Sequence, residues 1–87
     1  MDISEKVIEL GFNESIINFL HGKTKLKNCE ILKVDFLHRS VSNGKTTNIC
    51  LKVSIKNDRR PEYTLNISSI KLTKIKRDIL ISQILNI

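Results

Sequence analysis

The sequence of 87 residues has no tryptophan, one proline, three glycines and two cysteines. It contains no internal repeat, no linker rich in Pro, Gly or Ser and no low-complexity segment, so residues 1–87 are predicted to form a single domain. No apolar run approaches the ~20 residues of a membrane span, and the N-terminus has no basic region followed by an apolar core. We therefore expect a cytoplasmic protein without a membrane partner.

The two cysteines favour neither a disulfide nor a metal site. Cys29 lies about 26 Å along a predicted strand from the residue expected to face Cys50, whereas a disulfide requires Cα atoms within roughly 7 Å. No Cys-x-x-Cys pair is present, and His38 and Cys50 are expected on opposite faces of a sheet, which argues against zinc. We interpret the cysteines as free thiols and predict neither a metal nor a cofactor.

Few residues indicate catalysis, and we predict that the protein is not an enzyme. His21 is predicted at a helix end, and His38 is predicted on a strand opposite Ile49, away from His21. A capping or boundary role explains each histidine without a reaction. The aromatic side chains have the spacing of core residues, which argues against a base-stacking platform for single strands. These aromatic residues are Phe12, Phe19, Phe36 and Tyr63.

The strongest pattern is the strict alternation of apolar and polar residues from Asn48 to Lys56, which predicts a half-buried central strand. The pair Asn43-Gly44 before this strand predicts a two-residue hairpin turn. With this turn, strands over about residues 30–41 and 47–56 place apolar residues opposite each other. The predicted pairs are Leu32 with Ile55, Val34 with Val53, Phe36 with Leu51, Asp35 with Lys52 and Leu37 with Cys50.

A polar loop over residues 57–61, which contains Pro61, predicts a second hairpin and a third strand over about residues 62–68. If Lys56 faces Glu62, the apolar faces of the two strands agree again. The pairs are then Ile55 with Tyr63, Val53 with Leu65 and Leu51 with Ile67. We predict a three-stranded antiparallel meander of order 1-2-3, whose inner face comprises Leu32, Val34, Phe36, Ile49, Leu51, Val53, Ile55, Tyr63, Leu65 and Ile67.

Apolar residues at helical spacing flank the predicted sheet, so the fold class is α+β. Asp2 and Glu5 fit a capping-box pattern, and Gly11 is a natural helix stop, followed by Asn13 as the cap of a second helix. One or two N-terminal helices are therefore predicted. The C-terminal helix begins near Leu72 and becomes apolar around most of its circumference. It is expected to pack on one sheet face against the N-terminal helices, or to form a homodimer in part; a short strand within residues 70–87 is the third alternative.

The net charge of +6 is unevenly distributed, since residues 1–20 carry −3 and residues 21–87 carry +9. A basic surface attracts polyanions through counterion release. Basic residues cluster around residues 23–27, in the predicted turns and at the start of the last helix. We predict nucleic-acid contacts, with duplex backbone as the favoured ligand, through Lys45, Arg59, Arg60, Lys71, Lys74 and Arg77. A solvated surface rich in lysine without a ligand remains the simplest alternative.

The order of helix, three-stranded meander and helix, with basic residues beginning the last helix, resembles the topology of double-stranded-RNA-binding domains. The resemblance implies that Lys45 and its turn enter a minor groove while Lys71 and Lys74, with Arg77, hold phosphates across the major groove. The turn reads Ser-Val-Ser-Asn-Gly-Lys instead of the Gly-Pro-x-His typical of that family. The last helix is rich in Ile and Leu, where that family has small residues.

A protein partner with an acidic surface is the alternative to nucleic acid. Leu37 and Cys50 are predicted to form an apolar centre on the outer sheet face, with Lys33, Arg39 and Lys52 around it, which suits a docking surface unless a helix or loop covers it. Fourteen Ile, eleven Lys and eight Asn are typical of an A/T-rich genome. The alternative hypothesis is therefore a protein-interaction or inhibitor module of phage or mobile-element origin.

Overall fold

A computed structural model describes residues 1–85 of the chain and consists of helices packed on one face of a small sheet. The strands form one sheet of order β1-β2-β3-β4, in which β1 runs parallel to β2 and the other neighbours are antiparallel. The α+β class is confirmed, but the sheet has one strand more than predicted. The elements are β1 (Asp2–Ile3), α1 (Glu5–Glu9), α2 (Glu14–His21), β2 (Ile31–Ser42), β3 (Lys45–Ile55), β4 (Glu62–Ser68) and α3 (Ser69–Leu85).

The additional strand, β1, is two residues long and lies beside β2. Asp2 pairs with Lys33 and Ile3 with Val34, and the amide of Ser4 then donates to the carbonyl of Val34 at 3.0 Å. The capping-box prediction for Asp2 is therefore wrong, because Ser4 occupies the N-cap of α1 and its side chain makes no capping bond. Two residues are too few to produce an alternating pattern, so sequence periodicity cannot reveal such a strand.

The two-helix interpretation of the N-terminal region is confirmed. Gly11 has φ +99°, a conformation that L-residues with a Cβ rarely adopt, and it follows the end of α1. Asn13 caps α2, since its Oδ1 accepts a hydrogen bond from the amide of Ile16 at 2.9 Å. The turn at Asn43 and Gly44 is also confirmed, with φ of +52° and +75°.

The register of β2 and β3 is as predicted at its centre and beside the turn, and three register shifts displace it in between and at the far end. The pairs Val34–Val53, Asp35–Lys52 and Phe36–Leu51 are as predicted. Bulges at Leu32 and Leu37 shift the flanking residues by one position, and a third shift, between Ser40 and Val41, restores the predicted register beside the turn. The observed pairs outside the centre include Ile31 with Ile55, His38 with Cys50 and Arg39 with Ile49.

The bulges exchange side chains between the core and the solvent. Ile31 is buried with 7% exposure, whereas Leu32, predicted for the inner face, is 48% exposed. His38 is exposed and faces Cys50 instead of Ile49. The predicted contact between Leu37 and Cys50 is therefore wrong.

The register of β3 and β4 differs from the prediction by two residues. Val53 pairs with Tyr63, Leu51 with Leu65 and Ile49 with Ile67. A shift by two keeps every side chain on its predicted face, so burial patterns cannot distinguish the two registers. The loop is longer as a result, and the amide of Ile55 donates to the carbonyl of Pro61 at 2.8 Å.

The C-terminal segment forms one helix, α3, at residues 69–85, so the strand alternative is wrong for this part. Ser68 Oγ accepts a hydrogen bond from the amide of Lys71 at 3.1 Å at its start. Leu72 and Ile75 are buried and Ile79 is partly buried, whereas residues 80–85 are all exposed. Predictions for residues 86 and 87 lie outside the described residues. No helix of residues 1–85 is both long and apolar enough to cross a bilayer.

One hydrophobic core lies between the sheet and the three helices. The predicted inner face is confirmed except for Leu32, with Phe36 and Leu65 only partly buried at its margin. Core residues from the helices pack against this face. The buried members of the core are Val7, Phe12, Ile16, Ile17, Leu20, Ile31, Val34, Ile49, Leu51, Val53, Ile55, Tyr63, Ile67, Leu72 and Ile75.

Candidate functional site

A groove between the C-terminal end of α2 and the first three turns of α3 brings together basic and apolar side chains. Three lysines contribute to its lining, one from the turn after α2 and two from α3. An aromatic ring and two isoleucines provide its apolar part, and one carboxylate lies among them. We name this the lysine groove; it is lined by Phe19, Lys23, Ser68, Ile70, Lys71, Lys74, Ile75 and Asp78.

Helical spacing and a tight turn position these lysines. Lys71 and Lys74 are three residues apart on α3, so they share one side of the helix. Lys23 lies just beyond α2, where its amide donates to the carbonyl of Leu20 at 3.2 Å and the amide of Gly22 donates to Asn18 at 2.9 Å. These bonds continue the helical turn and direct the chain so that Lys23 meets α3.

The lysines of the lysine groove form no ion pair with a carboxylate of residues 1–85. Within residues 1–85, no carboxylate oxygen lies within 4.0 Å of the amino group of Lys23, Lys71 or Lys74. Asp78, which also lines the groove, is beyond that distance from all three. The three amino groups are therefore available to an external anion.

Phe19 differs from its sequence-based interpretation, because it is 39% exposed instead of belonging to the core. The buried stripe of α2 follows Ile16, Ile17 and Leu20, and Phe19 lies at its edge. The Nζ atom of Lys23 lies 4.6 Å from the centroid of the Phe19 ring, within the range of a cation–π contact. The lysine groove thus contains one accessible aromatic ring.

The predicted nucleic-acid-binding residues fall into three groups, on α3, on the β2–β3 hairpin and in the loop between β3 and β4. Lys71 and Lys74 lie in the lysine groove, and Arg77 lines an adjacent depression together with Ile70, Thr73, Lys74 and Asp78. These three basic residues therefore form one surface. Sequence analysis assigned no site to Lys23, which tertiary packing adds to them.

The other predicted contacts lie at opposite ends of β3. Lys45 is exposed on the β2–β3 hairpin, three residues or about 10 Å along the strand from the Asn48–Ser68 pair that precedes α3. Arg59 and Arg60 are in the loop at the other end of β3. Their amides donate to Asn57 Oδ1 at 2.9 and 3.0 Å, which fixes the loop. The length of β3 lies between this loop and the start of α3.

The residues predicted for a protein partner form a surface with less charge and less apolar area than expected. Lys33 Nζ lies 3.8 Å from Asp35 Oδ2, and Lys52 Nζ lies 3.7 Å from Glu62 Oε2. Leu37 is exposed in its bulge, whereas Cys50 is buried with 8% exposure. Arg39 is exposed opposite Ile49.

A buried hydrogen-bond network connects α2, the following loop and β4. His21 Nε2 lies 2.8 Å from the carbonyl oxygen of Cys29, and His21 Nδ1 lies 2.6 Å from the hydroxyl of Tyr63. A carbonyl only accepts, so Nε2 carries the proton and donates it, and in the neutral ring Nδ1 accepts from Tyr63. Both cysteines are free, and Cys29 Sγ is 3.4 Å from Asn57 Nδ2.

The environment of Tyr63 predicts a loss of stability at alkaline pH. Burial raises the pKa of Tyr63, while a side-chain hydrogen bond with Thr24 lowers it by less. The folded state thus holds the phenol proton more tightly than the unfolded state, whose pKa is about 10. The contribution of the Tyr63 proton to the free energy of unfolding is complete below pH ~10. It is lost as the pH rises from there through the folded-state pKa.

We therefore expect the free energy of unfolding to decrease above pH ~10 in the wild type. Tyr63→Phe should have a lower but flatter profile, because it lacks both the phenol and its bond to His21. Urea denaturation of both proteins between neutral and alkaline pH measures the difference between their free energies of unfolding. The effect of lysine titration is common to both proteins and cancels in this difference. Parallel profiles would contradict the prediction.

The described residues contain no group of three or more His, Cys, Asp or Glu side chains able to hold a metal ion. The predicted meander and final helix are present as β2, β3, β4 and α3, but the two short helices α1 and α2 and the strand β1 stand where a single first helix would be needed for the resemblance. Comparison of the chain with protein-family models, curated proteins and solved structures finds no match.

Proposed function

We propose that the protein is a non-catalytic nucleic-acid-binding module that contacts the phosphate backbone through Lys23, Lys71, Lys74 and Arg77. The observation that carries this proposal is the convergence of three lysines, from two parts of the chain, on one groove without a carboxylate partner among residues 1–85. An ammonium group without an intramolecular partner can replace the counterions of a phosphate strand, which is the main source of backbone affinity.

The surroundings of the lysine groove support an extended contact. Arg77 continues the basic surface along α3, and the exposed Lys45 lies on the hairpin beyond the strand ends where α3 begins. A duplex backbone that follows α3 would reach the hairpin as well. Arg59 and Arg60, at the other end of β3, would need a separate segment of nucleic acid.

The proposal predicts steep salt dependence. Three to four phosphate contacts give a slope of about −3 in a plot of log affinity against log salt, or a roughly 50- to 150-fold loss between about 50 and 200 mM salt. Fluorescence anisotropy with a labelled duplex, repeated at several salt concentrations, measures this slope. An affinity that does not change over this range would refute backbone binding.

A second candidate function is association with protein through the exposed half of α3. Beyond Ile79 the helix is exposed, uncharged and rich in large apolar residues, which is unusual for a surface without a partner. The exposed apolar residues of this segment are Leu80, Ile81, Ile84 and Leu85. A homodimer through α3, or an inhibitor docked on a target protein, would bury them.

Affinity purification from the native host, with and without nuclease, separates the two candidates. Partners lost on nuclease treatment support nucleic-acid binding, and partners that resist nuclease support the protein alternative. Light scattering of the purified chain tests the homodimer directly. A monomer together with an absence of nuclease-resistant partners would count against association through α3.

A further inference from the structure

The lysine groove contains exposed apolar side chains that binding to the phosphate backbone of a duplex does not require. Backbone contacts are made by charged and polar donors, and they offer no partner to an aromatic ring. Phe19 is nevertheless 39% exposed in the groove, and Ile70 beside it is 83% exposed. An unpaired base has an apolar π-face that stacks on an aromatic side chain, whereas a base inside a duplex is already stacked.

We infer that the lysine groove binds an unpaired nucleotide, with its base on Phe19 and the adjoining phosphates on Lys71 and Lys74. This inference rests on the proposed nucleic-acid binding and specifies which part of the strand enters the groove. It differs from the sequence-based expectation of pure duplex contact, which assumed that Phe19 belongs to the core.

Lys23 connects base binding to phosphate binding. In the free protein its ammonium group lies 4.6 Å from the centre of the Phe19 ring and occupies one face of it. A cation–π contact at an exposed site is weaker than a charge-assisted hydrogen bond to phosphate. A phosphate that enters the groove therefore draws Lys23 away from the ring, and the released face becomes available to the base.

Asp78 favours one orientation of a nucleotide in the groove. Its carboxylate accepts hydrogen bonds but repels phosphate, and it lies one helical turn beyond Lys74 along α3. Amino groups of a base and hydroxyl groups of a sugar are the donors that a nucleotide can present to a carboxylate. The phosphates are thus expected at Lys71 and Lys74, with the base or sugar towards Asp78.

Binding of a blunt duplex, the same duplex with a short single-stranded overhang, and the single strand alone tests the inference. Anisotropy measurements with the wild-type chain should give about tenfold tighter binding to the overhang duplex than to the blunt one, from one stacked base. Phe19→Leu keeps an apolar side chain but removes the ring, so it should abolish this preference, measured as the ratio of the overhang-duplex affinity to the blunt-duplex affinity of the same variant. Lys25→Gln, at an exposed lysine outside the groove, should retain the preference.

The outcomes separate this inference from the proposed function. Equal affinity for blunt and overhang duplexes, or an equal loss for both in Phe19→Leu, would overturn nucleotide binding while backbone binding stands. Failure of all three probes to bind at low salt would overturn both. Displacement of the overhang duplex by polyglutamate as readily as by unlabelled overhang duplex would show that the groove serves an acidic protein, which also overturns it. Thermal unfolding by circular dichroism verifies that Phe19→Leu is folded.

Discussion

The triple substitution K23E/K71E/K74E should lower the affinity for a nucleic-acid duplex by about 100-fold or more at moderate salt. Each change removes one ammonium group from the lysine groove and adds a charge that repels phosphate. The slope of log affinity against log salt should fall from about −3 towards −1, because only Arg77 and the hairpin contacts remain.

This variant is expected to stay folded, since the three side chains are exposed and form no ion pair with another described residue. Lys71 lies in the first turn of α3, where a glutamate is favourable towards the helix dipole. Only the contact of Lys23 with Phe19 is lost, at a cost of about 0.5–1 kcal/mol. Circular dichroism and thermal unfolding verify the fold independently of binding.

The matched control is K25E/K27E/K56E, which replaces three exposed lysines that do not line the groove. Three such changes lower the charge by six in either variant, from +6 to 0, so both have the same net charge. Long-range attraction is then equal, and a difference in affinity reports the position of the charges. Equal losses in the two variants would mean that binding follows net charge and that the lysine groove has no special role.

The extent to which the fold was predictable depends on what each residue type can specify. Asn43 and Gly44 favour one turn geometry, and this set the central register of β2 and β3 correctly. The bulge at Leu32 was not predictable, because Ile31 and Leu32 are both apolar and either one suits the core. The prediction of the register between β3 and β4 was wrong for a different reason: a shift of two residues leaves every side chain on the same face of the sheet.

The candidate site was predictable only where its residues are near in sequence. Lys71, Lys74 and Arg77 follow helical spacing, so their clustering on α3 could be expected from the sequence. Lys23 reaches the same groove only because α2 packs on α3, and no periodicity connects positions so far apart. Phe19 was misassigned because an aromatic residue in an amphipathic helix usually belongs to the core, and its place at the edge of the stripe depends on which side meets the sheet.

The same substitution, phenylalanine to alanine, is expected to have different effects in the core, at Phe12, and in the lysine groove, at Phe19. Phe12 is only 2% exposed and packs in the core where α1 and α2 meet the sheet. Phe12→Ala should lower the free energy of unfolding by about 3–5 kcal/mol, through the lost burial and the cavity that remains. A chain of 87 residues typically has a total of about 4–13 kcal/mol, so this variant should lose a large fraction of its stability.

Phe19→Ala should lower the free energy of unfolding by about 1–2 kcal/mol, less than Phe12→Ala, because the residue is 39% exposed and only part of its apolar area is buried. Its expected defect is in binding, where the preference for an unpaired nucleotide disappears. Urea denaturation should therefore show the larger loss of stability for Phe12→Ala, whereas anisotropy should show the loss of the preference for the overhang duplex in folded Phe19→Ala. If Phe19→Ala destabilises the protein as much as Phe12→Ala, the Phe19 ring supports the fold, and its exposure cannot be assigned to a ligand.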